Sequence, residues 1–225
     1  MKTLKILGLL LAYPAPKLID HLDDCESILK VEKLLPKKGL AAVLSFMDEL
    51  RSEDIYQLQE NYVETFDRGR AHSLHLFEHI FGDSRDRGQA MVNLVEAYEE
   101  KGLYIDRAEL PDYVPLFLEF LSLCPADEAL DLLSEPIDVL AMMGTRLKKS
   151  GSRYAVLFDA ILDLSKTKPN PEKLQAAIEE EVPAMTLEDI DKEWEESAAF
   201  GETDNQVDCG SCTVQAGNQQ RVTIN

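Results

Sequence analysis

The sequence predicts an all-α fold, a single helical bundle domain of about ten helices followed by an acidic, partly disordered C-terminal tail. Three observations lead there. Apolar residues recur at i, i+3, i+4 and i+7 through almost every segment up to Leu164. The strict apolar–polar alternation of a half-buried strand is almost absent. Pro125, Pro136 and Gly151 punctuate the later runs and leave only short connections between them.

Taken in order, Leu4, Leu7 and Leu11 mark a first helix. Lys2 and Lys5 ahead of the apolar run Ile6–Ala12 look like a short secretion signal. That run is at the low limit of length, Pro14 and Pro16 follow it, and no A-x-A site is present, so it reads as helix one of the mature domain. Leu18, Leu22, Ile28 and Leu29 predict a second helix. Leu40, Val43, Leu44, Met47 and Leu50 predict a third, started near Pro36, and Ile55, Leu58, Tyr62, Val63 and Phe66 a fourth. After a break at Gly69, Leu74, Phe77 and Phe81 continue the pattern to Gly82, which suits a left-handed cap. Ala90, Met91, Leu94, Val95 and Tyr98 form the next helix, stopped at Gly102. Pro111 suits a first helical turn, ahead of the very apolar Val114, Leu116, Phe117, Phe120 and Leu121. Companion helices run through Leu130–Leu133, Ile137–Leu147 and Tyr154–Leu164, which closes a domain over 1–167. Asn170 and Pro171 suit a cap and a first helical position. They open an acidic helical extension over 168–200 that carries Glu179, Glu180, Glu181, Glu188, Asp189, Asp191, Glu193 and the single tryptophan, Trp194. Residues 201–225 are polar and expected to be disordered.

The 225 residues suffice for one large domain plus a tail, and 45% hydrophobic residues supply an ordinary core. A net charge of −19 argues against nucleic acid and against an anionic membrane leaflet. It favours a basic partner, or serves solubility alone. Nothing approaches the ~18 apolar residues of a transmembrane helix, so no membrane insertion is expected. Cys25 and Cys124 lie in or beside apolar runs and read as reduced and buried. Cys209 and Cys212 have redox or metal-ligand spacing, but they lack a second pair or a βαβ context.

The stretch from Tyr62 to Met91 concentrates the chemistry. It holds Arg68, Arg70, Arg85 and Arg87 in an otherwise acidic chain, and it repeats the tripeptide Asp-Arg-Gly at Asp67-Arg68-Gly69 and Asp86-Arg87-Gly88. Arginine binds carboxylates in a planar, two-pronged contact. Asp67, Arg68, Asp86 and Arg87 therefore either cross-pair to lock two helix ends, or rim a groove. The floor of that groove would be Tyr62, Phe66, Phe77 and the 113–121 helix, with Glu109 and Asp112 adding charge for a basic peptide. His72, His75 and His79 at i, i+3 and i+7 fit one helical face, where they either finish hydrogen bonds at a packing seam or hold a metal with Glu78 or Asp83 nearby. No H-E-x-x-H, phosphate-binding glycine loop or G-x-S-x-G elbow occurs.

The runs YVETFDRGRAHSLHLFEHIFGDSRDRGQAMVNLVEAYEEKGL, ELPDYVPLFLEFL and SRYAVLFDAIL resemble the NarJ-type chaperones, the delta-chain assembly proteins of respiratory nitrate reductase. The likeness spans Leu4 to Leu164. It places the family's DRGRA motif on Asp67 to Ala71, its FEH motif on Phe77, Glu78 and His79, and SRDRGQAM on Ser84 to Met91. The wider group's E-x-P-D-H-L motif falls on Glu109, Pro111 and Asp112, with Tyr113 and Val114 in place of His and Leu. A tyrosine there still donates a hydrogen bond but carries no positive charge. The resemblance implies a cytoplasmic, non-catalytic chaperone without a cofactor or metal of its own. It would bind the basic N-terminal segment of the apo catalytic (alpha) subunit, alone or with the iron–sulfur beta subunit. That would hold the client open for molybdenum bis-guanylyl-molybdopterin and delay its docking to the membrane. The expected client-peptide site comprises Tyr62, Phe66, Asp67, Arg68, Arg70, His72, Phe77, Glu78, His79, Arg85, Asp86, Arg87, Glu109, Asp112, Tyr113 and Phe117. The rival readings are a His-ligated metal-dependent enzyme and a structural subunit of a stable complex.

Overall fold

A computed structural model of the chain describes residues 1–67, 70–81, 85–105, 109–172 and 174–175, with Arg70 described in its backbone only. Arg68, Gly69, Gly82, most of the acidic extension, Trp194 and the Cys209/Cys212 pair lie outside the described residues. Eleven α-helices occur among them: α1 Lys2–Leu11, α2 Pro16–Asp20, α3 Leu22–Glu32, α4 Lys37–Ser52, α5 Ile55–Phe66, α6 Leu76–Phe81, α7 Asp86–Glu100, α8 Val114–Leu123, α9 Ala126–Ser134, α10 Ile137–Lys149 and α11 Ala155–Leu164. A 3₁₀ turn at Arg70–His72 separates α5 from α6. The all-α expectation holds. None of the described helices is long and apolar enough to cross a membrane.

The centre is built from α1, α8 and α11. Leu4, Leu7 and Leu11 of α1, Leu118 and Leu121 of α8, and Leu157, Phe158 and Ile161 of α11 are fully buried, on the faces their spacing dictates. Two glycines let helix axes approach. A Cβ on Gly8 would lie 2.9 Å from the Pro115 carbonyl oxygen, and one on Gly144 would lie 2.8 Å from the Phe158 Cβ. The first turn of α1 has no acidic residue of its own. The Glu32 carboxylate, at the end of α3, replaces it by accepting the Lys2 and Thr3 N–H groups at 3.0 and 2.7 Å.

Three local expectations change. The predicted second helix is two helices, because His21 (φ −111°, ψ 13°) leaves the helical region between α2 and α3, and the turn delivers Leu22 into the core. Pro111 does not start a helix. α8 begins at Val114 with Pro115 in its first turn, while the Pro111 carbonyl accepts the buried Tyr98 hydroxyl of α7 at 2.8 Å. Leu74 is not helical either. Its carbonyl accepts the Val114 N–H at 2.9 Å and the Leu76 N–H donates to the Asp112 carbonyl at 3.0 Å, so an antiparallel bridge centred on His75 and Tyr113 replaces the first turn expected for α6. Asn170 does open a helical turn, its side-chain oxygen accepting the Glu172 N–H at 2.9 Å.

Candidate functional site

The bridge between residues 74–76 and 112–114 divides the predicted groove in two. On one side lies a hollow of about 310 Å³ lined by Tyr13, Tyr62, Phe66, Asp67, Ser73, Leu74, His75, Glu109 and Tyr113. On the other, α6, α7, α8 and α9 enclose a larger hollow of about 580 Å³, floored by Leu76, Phe77, Leu94, Phe117, Phe120 and Leu132, with Ile80 at its mouth and Glu100, Glu128 and Glu135 among its lining. Tyr62 and Phe66 thus belong to the first hollow and Phe77 and Phe117 to the second. The single floor expected from the sequence is two floors back to back. A third hollow of about 180 Å³ lies between α1 and α8 and shares Glu109 and Tyr113 with the first.

Asp112 stands between the two larger hollows and has no exposed surface. It is therefore not a charge on the rim, as expected, but a buried pin. Its Oδ2 accepts the Phe77 N–H at 2.9 Å while its backbone carbonyl holds Leu76, so one residue fixes the start of α6. Oδ1 has no hydrogen-bond partner. Burial raises the carboxyl above the ordinary aspartate range, and the Phe77 N–H, His75 and Arg87 offset this only in part.

Tyr62 and Tyr113 form the wall of the smaller hollow. The Tyr62 hydroxyl donates to the Leu11 carbonyl at 3.1 Å and lies 3.0 Å from the Tyr113 hydroxyl. Tyr62 has one proton to give and the carbonyl takes it, so Tyr113 is the donor in the second bond. Burial raises both phenols above their ordinary value. Tyr113 thereby closes a chain from the start of α8 through α5 to the end of α1.

The three histidines do not share a helical face. His72 ends the 3₁₀ turn, His75 lies in the bridge and His79 is in α6. Among the described residues no three His, Cys, Asp or Glu side chains converge as metal ligands, and Asp83 lies outside those residues. His79 is a structural pin instead. Its Nε2 lies 2.8 Å from the Ser73 carbonyl and its Nδ1 3.4 Å from Arg146 of α10. A carbonyl can only accept and a guanidinium can only donate, so Nε2 carries the proton and the ring is neutral. Burial, reinforced by Arg146 and opposed by the Ser73 carbonyl, lowers its pKa.

The expected cross-pairing of the two Asp-Arg-Gly elements is not what Arg87 makes. It pairs with Glu78 at 3.3 Å, tying α7 to α6 across the gap between them. Arg68 lies outside the described residues, as does the side chain of Arg70, while Arg85 and Asp86 are exposed at the start of α7. Sequence reasoning missed Tyr13, which lies in the Tyr-Pro-Ala-Pro connection without periodicity, yet packs edge-on against Tyr62 with ring centres 5.5 Å apart. It also missed Ile80, which no pattern singles out, and Leu94 and Leu132, which read as ordinary helix positions, whereas Phe120 falls on the 113–121 helix expected to floor the groove.

Comparison with known proteins matches this architecture to one family. The family described as nitrate reductase delta subunit matches residues 33–160. The nitrate reductase molybdenum cofactor assembly chaperone NarJ of Escherichia coli K12 is 40% identical over 96% of this chain and 91% of its own. NarW of the same strain is 36% identical over 94% of this chain and 88% of its own. The crystal structure of a protein of Archaeoglobus fulgidus described as a redox enzyme maturation protein shares the fold, with a TM-score of 0.52 at 22% identity, covering 70% of this chain and 88% of that one. By the match over 33–160 and a likeness to NarJ that runs almost end to end, this chain belongs to the nitrate reductase delta subunit family of NarJ-type chaperones.

Proposed function

We propose that this chaperone serves the apo catalytic subunit of a nitrate reductase in the cytoplasm and grips that subunit's basic N-terminal segment. It holds the client, alone or with its iron–sulfur beta subunit, until molybdenum bis-guanylyl-molybdopterin has entered, and so delays docking to the membrane. It catalyses no reaction. The observation that carries the reading is the 580 Å³ hollow, an apolar concavity in a chain of net charge −19. Lys101 is neutralised there by Glu128 at 2.6 Å, so Glu100 and Glu135 leave its edge acidic. An amphipathic helix would lay apolar residues at i, i+3 and i+4 on Phe77, Phe117 and Phe120, and acidic edges favour cationic flanks. Phe77, Phe117 and Ile80 are its anchors, with Glu78, Arg87, His79 and Asp112 setting the position of α6. Release requires that the loaded client bind less tightly than the apo form.

Calorimetry with a synthetic peptide of the client's N-terminus tests this. Ile80 is 46% exposed, so Ile80→Glu leaves the core untouched. It should weaken binding by about tenfold or more, the range of an interface anchor lost. Wild-type protein that ignores the peptide would overturn the reading. Unchanged affinity in both Ile80→Glu and Phe77→Ala would remove the peptide from this hollow.

A further inference from the structure

The hollow of about 310 Å³ has a composition unlike the larger one, aromatic and acidic where the other is apolar. We propose that it takes the guanidinium of one arginine from the client's basic segment, held against the aromatic rings of Tyr13, Tyr62 and Tyr113 and countered by Asp67 and Glu109. This rests on the client reading above and adds to it which feature of the client is recognised, and where.

Four observations carry it. First, the walls are aromatic. Tyr13 packs edge-on against Tyr62 at 5.5 Å and Tyr62 lies tilted against Phe66 at 4.8 Å, with Tyr113 completing the lining. A cation is attracted to the negative faces of such rings, most strongly where water is partly excluded. Second, the two carboxylates in the lining, Asp67 and Glu109, are exposed, and neither makes an ion pair among the described residues. Third, the remaining polar lining is already engaged, since Ser73 Oγ and His75 Nδ1 are 3.3 Å apart. The carboxylates are left to meet a ligand. Fourth, the cage is preorganised. The bonds Tyr113–Tyr62–Leu11 fix two rings before any ligand arrives, which lowers the ordering cost of binding. The volume of about 310 Å³ is right for one long side chain rather than a helix face. Arginine fits better than lysine, because its flat, weakly hydrated guanidinium stacks on aromatic rings and meets carboxylates through a fork of donors.

The geometry also explains why the two hollows share a partition. The Asp112–Tyr113 strand pairs with residues 74–76, so the cage and the apolar trough have fixed spacing. A peptide whose apolar face fills the trough can place a neighbouring arginine over the partition and into the cage.

The experiment uses the full chain and two versions of the client's N-terminal peptide, one natural and one with every arginine replaced by citrulline, which keeps the shape and removes the charge. Affinities are measured for wild type, for Asp67→Asn/Glu109→Gln, and for Tyr13→Leu, all of them changes at exposed positions. In parallel, N-acetyl-arginine amide and N-acetyl-citrulline amide are titrated while the tyrosine ring signals are followed by NMR. The inference expects citrulline to weaken binding about tenfold on wild type and under about twofold on the carboxylate double variant, the mark of a direct coupling. It expects Tyr13→Leu to weaken the natural peptide more than the citrulline one. It expects the arginine amide alone to shift the Tyr13, Tyr62 and Tyr113 signals at millimolar concentration. Equal loss from citrulline on wild type and on the double variant would overturn it, because the charge would then act elsewhere. If the natural peptide fails to bind wild type at all, the client reading falls, and the arginine amide alone decides the cage: ring shifts uphold it and their absence removes it.

Discussion

The α1–α8–α11 core and the junction between α5 and α8 are held together by different physics. In the core, shape does the positioning. Leu4, Leu7, Leu118, Leu121, Leu157 and Phe158 have no exposed surface, and Gly8 and Gly144 set how closely their helices meet. In the junction, single hydrogen bonds from buried polar side chains do it. Asp112 holds the start of α6, Tyr98 holds Pro111, Tyr62 joins Tyr113 to Leu11, and His79 joins Ser73 to Arg146. Damage to the core is shared by the whole molecule, because close-packed interiors transmit strain. Damage to one junction pin shifts a hollow and leaves most of the fold in place. On the proposed function, rigidity resides in one region and recognition geometry in the other.

The largest effect should come from the core. Phe158→Ala removes a fully buried ring at the α10–α11 contact and should cost about 3–5 kcal/mol in urea unfolding. Gly144→Ala, which drives a Cβ to 2.8 Å from that of Phe158, should cost about 1–3 kcal/mol by overpacking. Peptide affinity, measured below the unfolding transition, should change little in either variant. A large loss of affinity at intact fold would break the separation between the two regions.

How much was legible follows the same division. Helix periodicity located α1, α4, α5, α7, α8, α10 and α11, because burial on one face writes itself into the sequence at fixed spacing. Leu4, Leu7 and Leu11 needed nothing else. The junction was misread where a backbone hydrogen bond overrode the pattern. Leu74 has helical spacing to Phe77, but its carbonyl is taken by Val114, forty residues away in the chain, and no local signal announces that partner. Asp112 looked like surface charge because an aspartate usually is, and only the three-dimensional position of the Phe77 N–H shows otherwise. Tyr13 was invisible for the opposite reason. It sits in a proline-rich connection where no periodicity exists to single it out.

The intermediate effect tests Asp112. Replacing it with alanine strands the Phe77 N–H and should cost about 1–3 kcal/mol, with peptide affinity falling further than in core variants of equal stability. Asp112→Asn keeps an accepting oxygen for Phe77 and needs no charge. The folded carboxyl is raised, so the native state holds its proton longer than the unfolded chain does. The stability this confers is fully present below the unfolded aspartate value near 3.9 and is lost as pH rises through the folded value. Asparagine should therefore match or exceed wild type in urea unfolding at pH 7, its advantage growing with pH across that window. An asparagine variant less stable than wild type at pH 7 would mean that α6 requires the ionised form, and the pin would then be electrostatic rather than a single hydrogen bond.

The smallest effect concerns His79, whose folded pKa is lowered instead of raised. The sign reverses. Its contribution is present above the ordinary histidine value near 6.5 and is lost as pH falls through the folded value, because protonation of Nδ1 would set a cation against Arg146. Wild type should unfold at lower urea at pH 5.5 than at pH 7.5, by less than Asp112→Ala costs, and His79→Asn should flatten that slope while lowering the plateau. Nitrogen NMR of the ring gives an independent reading, with a protonated Nε2 and a bare Nδ1 at neutral pH. The opposite tautomer would detach α6 from Ser73 and leave its first turn seated on Asp112 alone, through the Leu76 and Phe77 N–H groups.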